Sequence, residues 1–202
     1  DDDDEWLPNK LQAQLSLLNK NPEYKAVSCL YTYCYNNKPI RKCPPYTNTE
    51  LHKKVLDRSV SICTPTVVFK KEALDRTGYF DETLVRHHDL QLFLDFLAKE
   101  KMIVLPEYHV LIHTDIGGNR PSSDNIEQIK LDFFRVTMNH FNMYSNREKK
   151  NIFAAHYFEI ILVALREKKF KRVLKYLAKI GFNISAYKKL YKRMMTRKKY
   201  SI

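Results

Sequence analysis

Leu7, Leu11, Leu15 and Leu18 recur at spacings of four, four and three, which lays one apolar stripe along a helix. Asp4 stands where an N-cap is wanted, and Pro8 is tolerated only in a first turn, so the spacing predicts a helix closing near residues 19–22. Trp6 is expected to pack as an apolar anchor on that helix. Residues 26–35, AVSCLYTYCY, gather β-branched and aromatic side chains and predict a strand. NNKPIRKCPPYTN reads as turn and loop. A short helix is expected around residues 51–56, then a buried extended segment, PTVVF, at residues 65–69. KKEALDRTGYFDE reads as a helix stopped by Gly78, with Tyr79 and Phe80 turned inward and Asp81 in a turn. In HHDLQLFLDFLAKE, Leu90, Phe93, Leu94 and Leu97 keep helical spacing and put Asp89 at the helix N-terminus. MIVLP and YHVLIH predict two short strands, and TDIGGNRPSSDN a loop. From about Ile126 the pattern is continuously helical. The break near residue 120 divides the chain into residues 1–122, mixed, and residues 123–202, helical and basic.

With 202 residues, 44% hydrophobic and 12% aromatic, the chain can bury a substantial core, which excludes general disorder. No apolar run reaches the roughly 20 residues a membrane-spanning helix needs, and the acidic opening does not read as a signal peptide. Cys29, Cys34, Cys43 and Cys63 show neither C-x-x-C pairing nor zinc-finger spacing and read as reduced thiols. Charge changes the picture more. The net +12 is concentrated between Arg166 and Lys199, where 14 basic residues face one acid, Glu167; the rest of the chain carries 21 basic and 22 acidic residues. A near-neutral body with a basic tail points to a polyanionic surface as partner.

The four aspartates at residues 1–4 read in two ways, as solvated acid or as hard oxygen ligands for Mg2+ or Mn2+. The order of the later segments brings in a resemblance. DDDDEWLPNKL resembles the D-x-D-D-x-W-x-P-x-K-L stretch of glycosyltransferase family 2, enzymes of GT-A fold. TPTVVFKKEALDRTGYFDE is similar to that family's extended segment, helix and G-x-F-D-E turn. HHDLQLFLDFLAKE is similar to its E-D-x-x-L-x-x-R-L helix, and LPEYHVLIHTDIGGNRPS to its closing strands and histidine loop. The four blocks cover roughly residues 1–122. A nucleotide-binding half precedes the D-x-D in that family, so the fold this implies is α/β: a partial, Rossmann-like GT-A domain, its acceptor-side half at residues 1–122, followed by an α-helical extension at residues 123–202. By itself such a piece is expected to be inactive.

The resemblance implies an inverting, metal-dependent sugar transfer from a nucleotide-sugar donor to a hydroxyl of a cell-surface glycan or lipid-linked acceptor. It implies Asp1 and Asp3 as Mn2+ or Mg2+ ligands, with Asp1 also near the donor and His113 completing the shell. Asp89 matches the aspartate of the E-D pair and is the implied general base, because the attacking hydroxyl must lose its proton. His88 stands where the family has glutamate; it would orient Asp89, contact acceptor or act as base itself. Asp89 as a simple helix cap is the plain alternative. Thr64 and Thr66 lie where the family lines its acceptor pocket, and Asn119 and Arg120 in the G-G-N-R loop would contact phosphate or acceptor.

In the tail, Phe170, Val173, Leu174, Leu177 and Ile180 follow helical spacing, as do Tyr187, Leu190, Tyr191 and Met194, with lysines opposite. A basic amphipathic helix of this kind suits an anionic membrane surface; the plain alternative packs it on the body with its lysines in water. No nucleic-acid motif accompanies the charge. The expected location is the cytoplasm, with residues 166–202 at the inner face of the cell membrane. The rival to the enzyme is a non-catalytic basic helical module that binds polyanions, a membrane surface or partner proteins.

Overall fold

The computed structural model describes residues 3–114 and 121–201. Among them, one mixed sheet holds β1 (Glu5–Trp6), β2 (Ala26–Tyr35), β3 (Lys38–Lys42), β4 (Val67–Phe69) and β5 (Met102–His113). β2 is its centre. It runs parallel to β5 on one side, and on the other pairs antiparallel with β4 through residues 26–28 and with β3 through residues 32–35. Flanked on both edges, β2 is buried from Ala26 to Thr32, which explains its unbroken apolar character. The helices are α1 (Lys10–Lys20), α2 (Leu51–Leu56), α3 (Lys71–Thr77), α4 (His88–Lys99), α5 (Ser123–Asn142), α6 (Asn146–Arg166), α7 (Phe170–Ile180) and α8 (Ile184–Lys199). The expected α/β class holds.

The first segment departs from expectation. Glu5 and Trp6 pair with Leu111 and Val110 of β5, and the Leu7 amide donates to the His109 carbonyl (2.9 Å), so the chain stays extended through Leu7. α1 therefore starts at Lys10, after Asn9 in the left-handed region (φ 65), and Asp4 does not cap it. The later start rotates the buried face. Lys10, Gln14 and Leu18 point inward, while Leu11 and Leu15 are 44% and 45% exposed. Gln14 locks that phase: its amide donates to the Val27 carbonyl (3.2 Å) and the Thr66 carbonyl (2.9 Å). Trp6 is half exposed, not an anchor, and the Lys10 ammonium lies 3.8 Å from its ring centre.

Two expected breaks are continuous structure. Asn36 and Asn37 both adopt positive φ (48° and 59°) and turn β2 into β3, where a loop is expected. Asparagine tolerates the left-handed region that a two-residue hairpin turn demands. The two short strands around Pro106 are one, β5; its register against β2 slips between Leu105 and Tyr108, so the proline's missing donor falls in a bulge. Gly78 does stop α3. Its φ of 104° with ψ of 173° is a region open essentially to glycine alone. Tyr79 and Phe80 turn outward, 57% and 44% exposed. The turn is held by polar bonds instead: Asp81 accepts from the Thr83 amide (2.9 Å), and the Asp81 amide donates to Gln91 of α4 (2.9 Å).

Phe133, Phe134, Phe141 and Ile152, from α5 and α6, join the same core as Val27, Leu30, Phe93 and Phe96. A second cluster unites Phe158, Ile161 and Ala164 of α6 with Val173, Tyr176 and Ile180 of α7 and Ala186 of α8. The end of α8 returns to the sheet edge, where the Lys42 amide donates to the Tyr200 carbonyl (3.0 Å).

Candidate functional site

α4 begins at an unusual residue. His87 is its N-cap, sits in the left-handed region (φ 67) and makes no side-chain cap. Asp89 is thus the second residue of the helix, in its first turn and partly buried, and His87 rather than Asp89 holds the cap position. His88 is exposed, with its ring edge-on to Phe80 at 5.4 Å. The glycine turn and the start of α4 therefore support each other.

His87 is held from the far side. Lys130 of α5, 1% exposed, donates to His87 Nε2 (3.1 Å), His156 Nδ1 (3.3 Å) and Glu159 (2.5 Å). Its three ammonium protons meet three acceptors, which makes a buried cation tolerable. Burial still pushes the Lys130 ammonium down to about 8, opposed by Glu159 and reinforced by Arg58. His156 donates from Nε2 to the Leu56 carbonyl (2.9 Å), so it is the neutral tautomer that receives Lys130. Burial, then the Lys130 charge, push both His87 and His156 far below the usual imidazole range. Glu159 is an anion despite its burial, because Lys130 and Arg58 outweigh the desolvation.

At the other end of the sheet, Asp4 accepts from the His113 amide (3.2 Å), while the His113 ring lies 3.7 Å from Glu5. The first and fourth sequence blocks are thus neighbours. Partial burial raises the Asp4 carboxyl; the His113 amide opposes that, and Asp3 adds to it. Asp3 is exposed. Among the described residues no three histidine, cysteine or acidic side chains form a metal-binding group. Asp1, Asn119 and Arg120 lie outside the described residues.

Cys63 links these regions. Burial pushes its thiol up to about 12; Tyr31, which hydrogen-bonds to it, opposes, and the charges of Asp89 and Asp4 add to the rise. Thr64 is exposed beside it. Thr66 is fully buried, its hydroxyl donating to the Cys63 carbonyl (2.6 Å) and its own carbonyl taken by Gln14. All four cysteines are free thiols.

Arg58 completes the neighbourhood. It lies in the left-handed region (φ 62), donates to Glu159 (3.1 Å) and feels the charge of Asp89. Burial works against its charge, but Glu159 outweighs it and holds Arg58 above the ordinary guanidinium value. Sequence reasoning missed Arg58, Lys130, His156 and Glu159. A signal existed for Lys130, which occupies the apolar face that Ile126, Phe133 and Phe134 define. Arg58 gave none, since its position depends on a backbone turn.

No helix among the described residues is long and apolar enough to cross a membrane. No protein-family model matches the chain, and no curated protein matches it in sequence.

Proposed function

We propose that the chain is the acceptor-side part of an inverting, metal-dependent glycosyltransferase of GT-A fold, acting on a nucleotide-sugar donor and a cell-surface glycan or lipid-linked acceptor. The observation that supports this reading is the hydrogen bond from the His113 amide to Asp4 (3.2 Å), which makes neighbours of the first and fourth resembling blocks. In the reaction the acceptor oxygen bonds to the anomeric carbon as the carbon–oxygen bond to the nucleoside diphosphate breaks. The electron pair leaves with the diphosphate, and the hydroxyl proton passes to Asp89. His88 and Phe80 hold the start of α4, which carries Asp89. Asp1, Asp3 and His113 would hold the Mn2+ or Mg2+ that the resemblance implies, and such an ion would neutralise charge on the leaving diphosphate. Asp89→Asn in the intact protein should lower sugar-nucleotide turnover by about 10²–10⁴-fold, the usual contribution of a general base. Undiminished turnover would remove Asp89 from the mechanism.

The tail supports a second reading, attachment to an anionic membrane surface. α8 packs on the body through Ala186 and Leu190, and Lys189 pairs with Asp57 (3.0 Å). Ile184, Tyr191 and Met195 fall on the opposite side of the helix and are 67%, 66% and 50% exposed, and Met194 stands at the flank, 54% exposed. Lys188, Lys192 and Lys199 flank them. An outward apolar stripe bordered by lysines is the pattern of a helix lying in a lipid interface. It would bring a lipid-linked acceptor to Asp89.

A further inference from the structure

A cavity of about 400 Å3 lies between the β2–β3 hairpin and the residue 57–61 turn on one side and α6 and α8 on the other. That size is typical of small-molecule sites. Its walls carry Tyr31, Tyr33 and Phe158, and among them stand cations from three separate segments: Arg41, Arg58 and, from α8, Lys189, Lys192 and Arg193.

The charges do not balance. Lys189 is matched by Asp57. Glu159, behind the wall, is shared by Arg58 (3.1 Å), Arg193 (3.5 Å) and Lys130 (2.5 Å). Arg41 lies over the Tyr33 ring at 4.2 Å, and among the described residues no carboxylate pairs with Arg41 or Lys192. Among the described residues, five cations thus line one concave, aromatic-walled space against Asp57 at its wall and Glu159 behind it, and Lys130 also draws on Glu159. Clustered cations repel, and removing them from water is costly unless an anion joins them. An excess this large suits a di- or trianion better than a single carboxylate, and guanidinium groups suit phosphate oxygens in particular.

We propose that this cavity binds an organic phosphate or diphosphate ester. Its phosphate meets Arg41, Lys192 and Arg58, and its carbon portion packs against Tyr31, Tyr33 and Phe158. The role of this site as the acceptor's phosphate pocket rests on the glycosyltransferase reading; the binding itself does not. The ester is either lipid-linked or soluble, and the two differ only in the carbon portion.

Calorimetric titration of the intact protein with geranyl diphosphate, glucose 1-phosphate and inorganic pyrophosphate tests this. Saturable binding of at least one ester, at least tenfold tighter than pyrophosphate, is expected. Geranyl diphosphate bound best indicates the lipid-linked source, and glucose 1-phosphate bound as well or better the soluble one. Arg41→Gln with Lys192→Gln should weaken the ester at least tenfold, and because no carboxylate among the described residues pairs with either, the circular dichroism should not change. Absence of saturable binding, pyrophosphate bound as tightly as the esters, or affinity untouched by the double variant overturns the proposal. Asp89→Asn separates the two claims: it should leave ester affinity intact, so retained turnover in that variant sinks the enzyme reading without touching the pocket.

Discussion

The Lys130 ammonium donates to His87 Nε2 across 3.1 Å and so ties the buried face of α5 to the residue that opens α4. The start of α4 carries Asp89 and His88, so the position of the proposed base depends on a lysine 41 positions further along the chain. The same ammonium reaches Glu159, which also holds Arg58. One buried cation therefore ties α4, α5, α6 and the Arg58 turn together.

Lys130→Met should destabilise the fold by about 2–4 kcal/mol, because Glu159, His87 and His156 each lose a donor in a buried setting. Arg58 and Arg193 remain on Glu159 and keep the loss below that of a fully orphaned charge. Urea unfolding measures it. A change under 0.5 kcal/mol would show that Lys130 is not the organising contact.

Stability should fall as pH drops from about 6.5 toward 4. His52 is pushed down to about 4 by burial and by its neighbour His140, and His87 and His156 are pushed lower still, chiefly by burial. Their folded values lie below the unfolded value near 6.5, so in this window the unfolded chain binds protons that the native state refuses. Each buried, neutral histidine then contributes a slope of about 1.4 kcal/mol per pH unit. The contacts accommodate a neutral His52: its Nδ1 lies 2.6 Å from the Tyr144 hydroxyl and its Nε2 3.1 Å from His140 Nδ1, while His140 Nε2 lies 2.8 Å from Asp95. Urea midpoints at pH 7.0, 5.5 and 4.5 should descend, and His156→Gln should flatten the descent. Equal midpoints would refute the neutral state of these rings.

Lys10 offers the opposite case. Among the described residues its ammonium is buried with no hydrogen-bond acceptor and lies against the half-exposed Trp6 ring, and burial lowers its pKa. A cation–π contact at a partly exposed ring returns about 0.5–1 kcal/mol, less than the desolvation of an unpaired ammonium. Lys10→Met should leave stability unchanged or raise it by up to about 2 kcal/mol in urea unfolding. A loss above 1 kcal/mol would mean that the cation has a further partner.

Tyr191→Ser with Met195→Ser removes apolar groups from the outward face of α8 without touching its packing through Ala186 and Leu190. Sedimentation with phosphatidylglycerol-containing vesicles should fall at least tenfold, as expected from losing two partly inserted side chains. Binding by the parent protein should weaken in high salt. Vesicle binding that survives the double substitution would leave only the lysines as the attachment.

The local elements were legible because each has its own local cause. Gly78 stops α3 since only glycine takes that backbone, the apolar spacing of Leu90, Phe93 and Leu94 makes α4, and the aromatic run at residues 26–35 makes β2. Of the candidate site, Asp89 was visible in the sequence through its helical context, but its surroundings were not. Whether residues 5–7 would coil or extend depended on β5, about a hundred positions later, offering a free edge. That pairing decided where α1 begins and so which of its side chains are buried, turning Lys10 and Gln14 inward in place of Leu11 and Leu15. The meeting of Arg58, Asp89, Lys130 and Glu159 was likewise decided by packing of α4, α5 and α6, whose electrostatic balance exists only once distant charges share a poorly solvated space. Periodicity determined the elements; long-range pairing and the desolvation of charges determined which residues share a site.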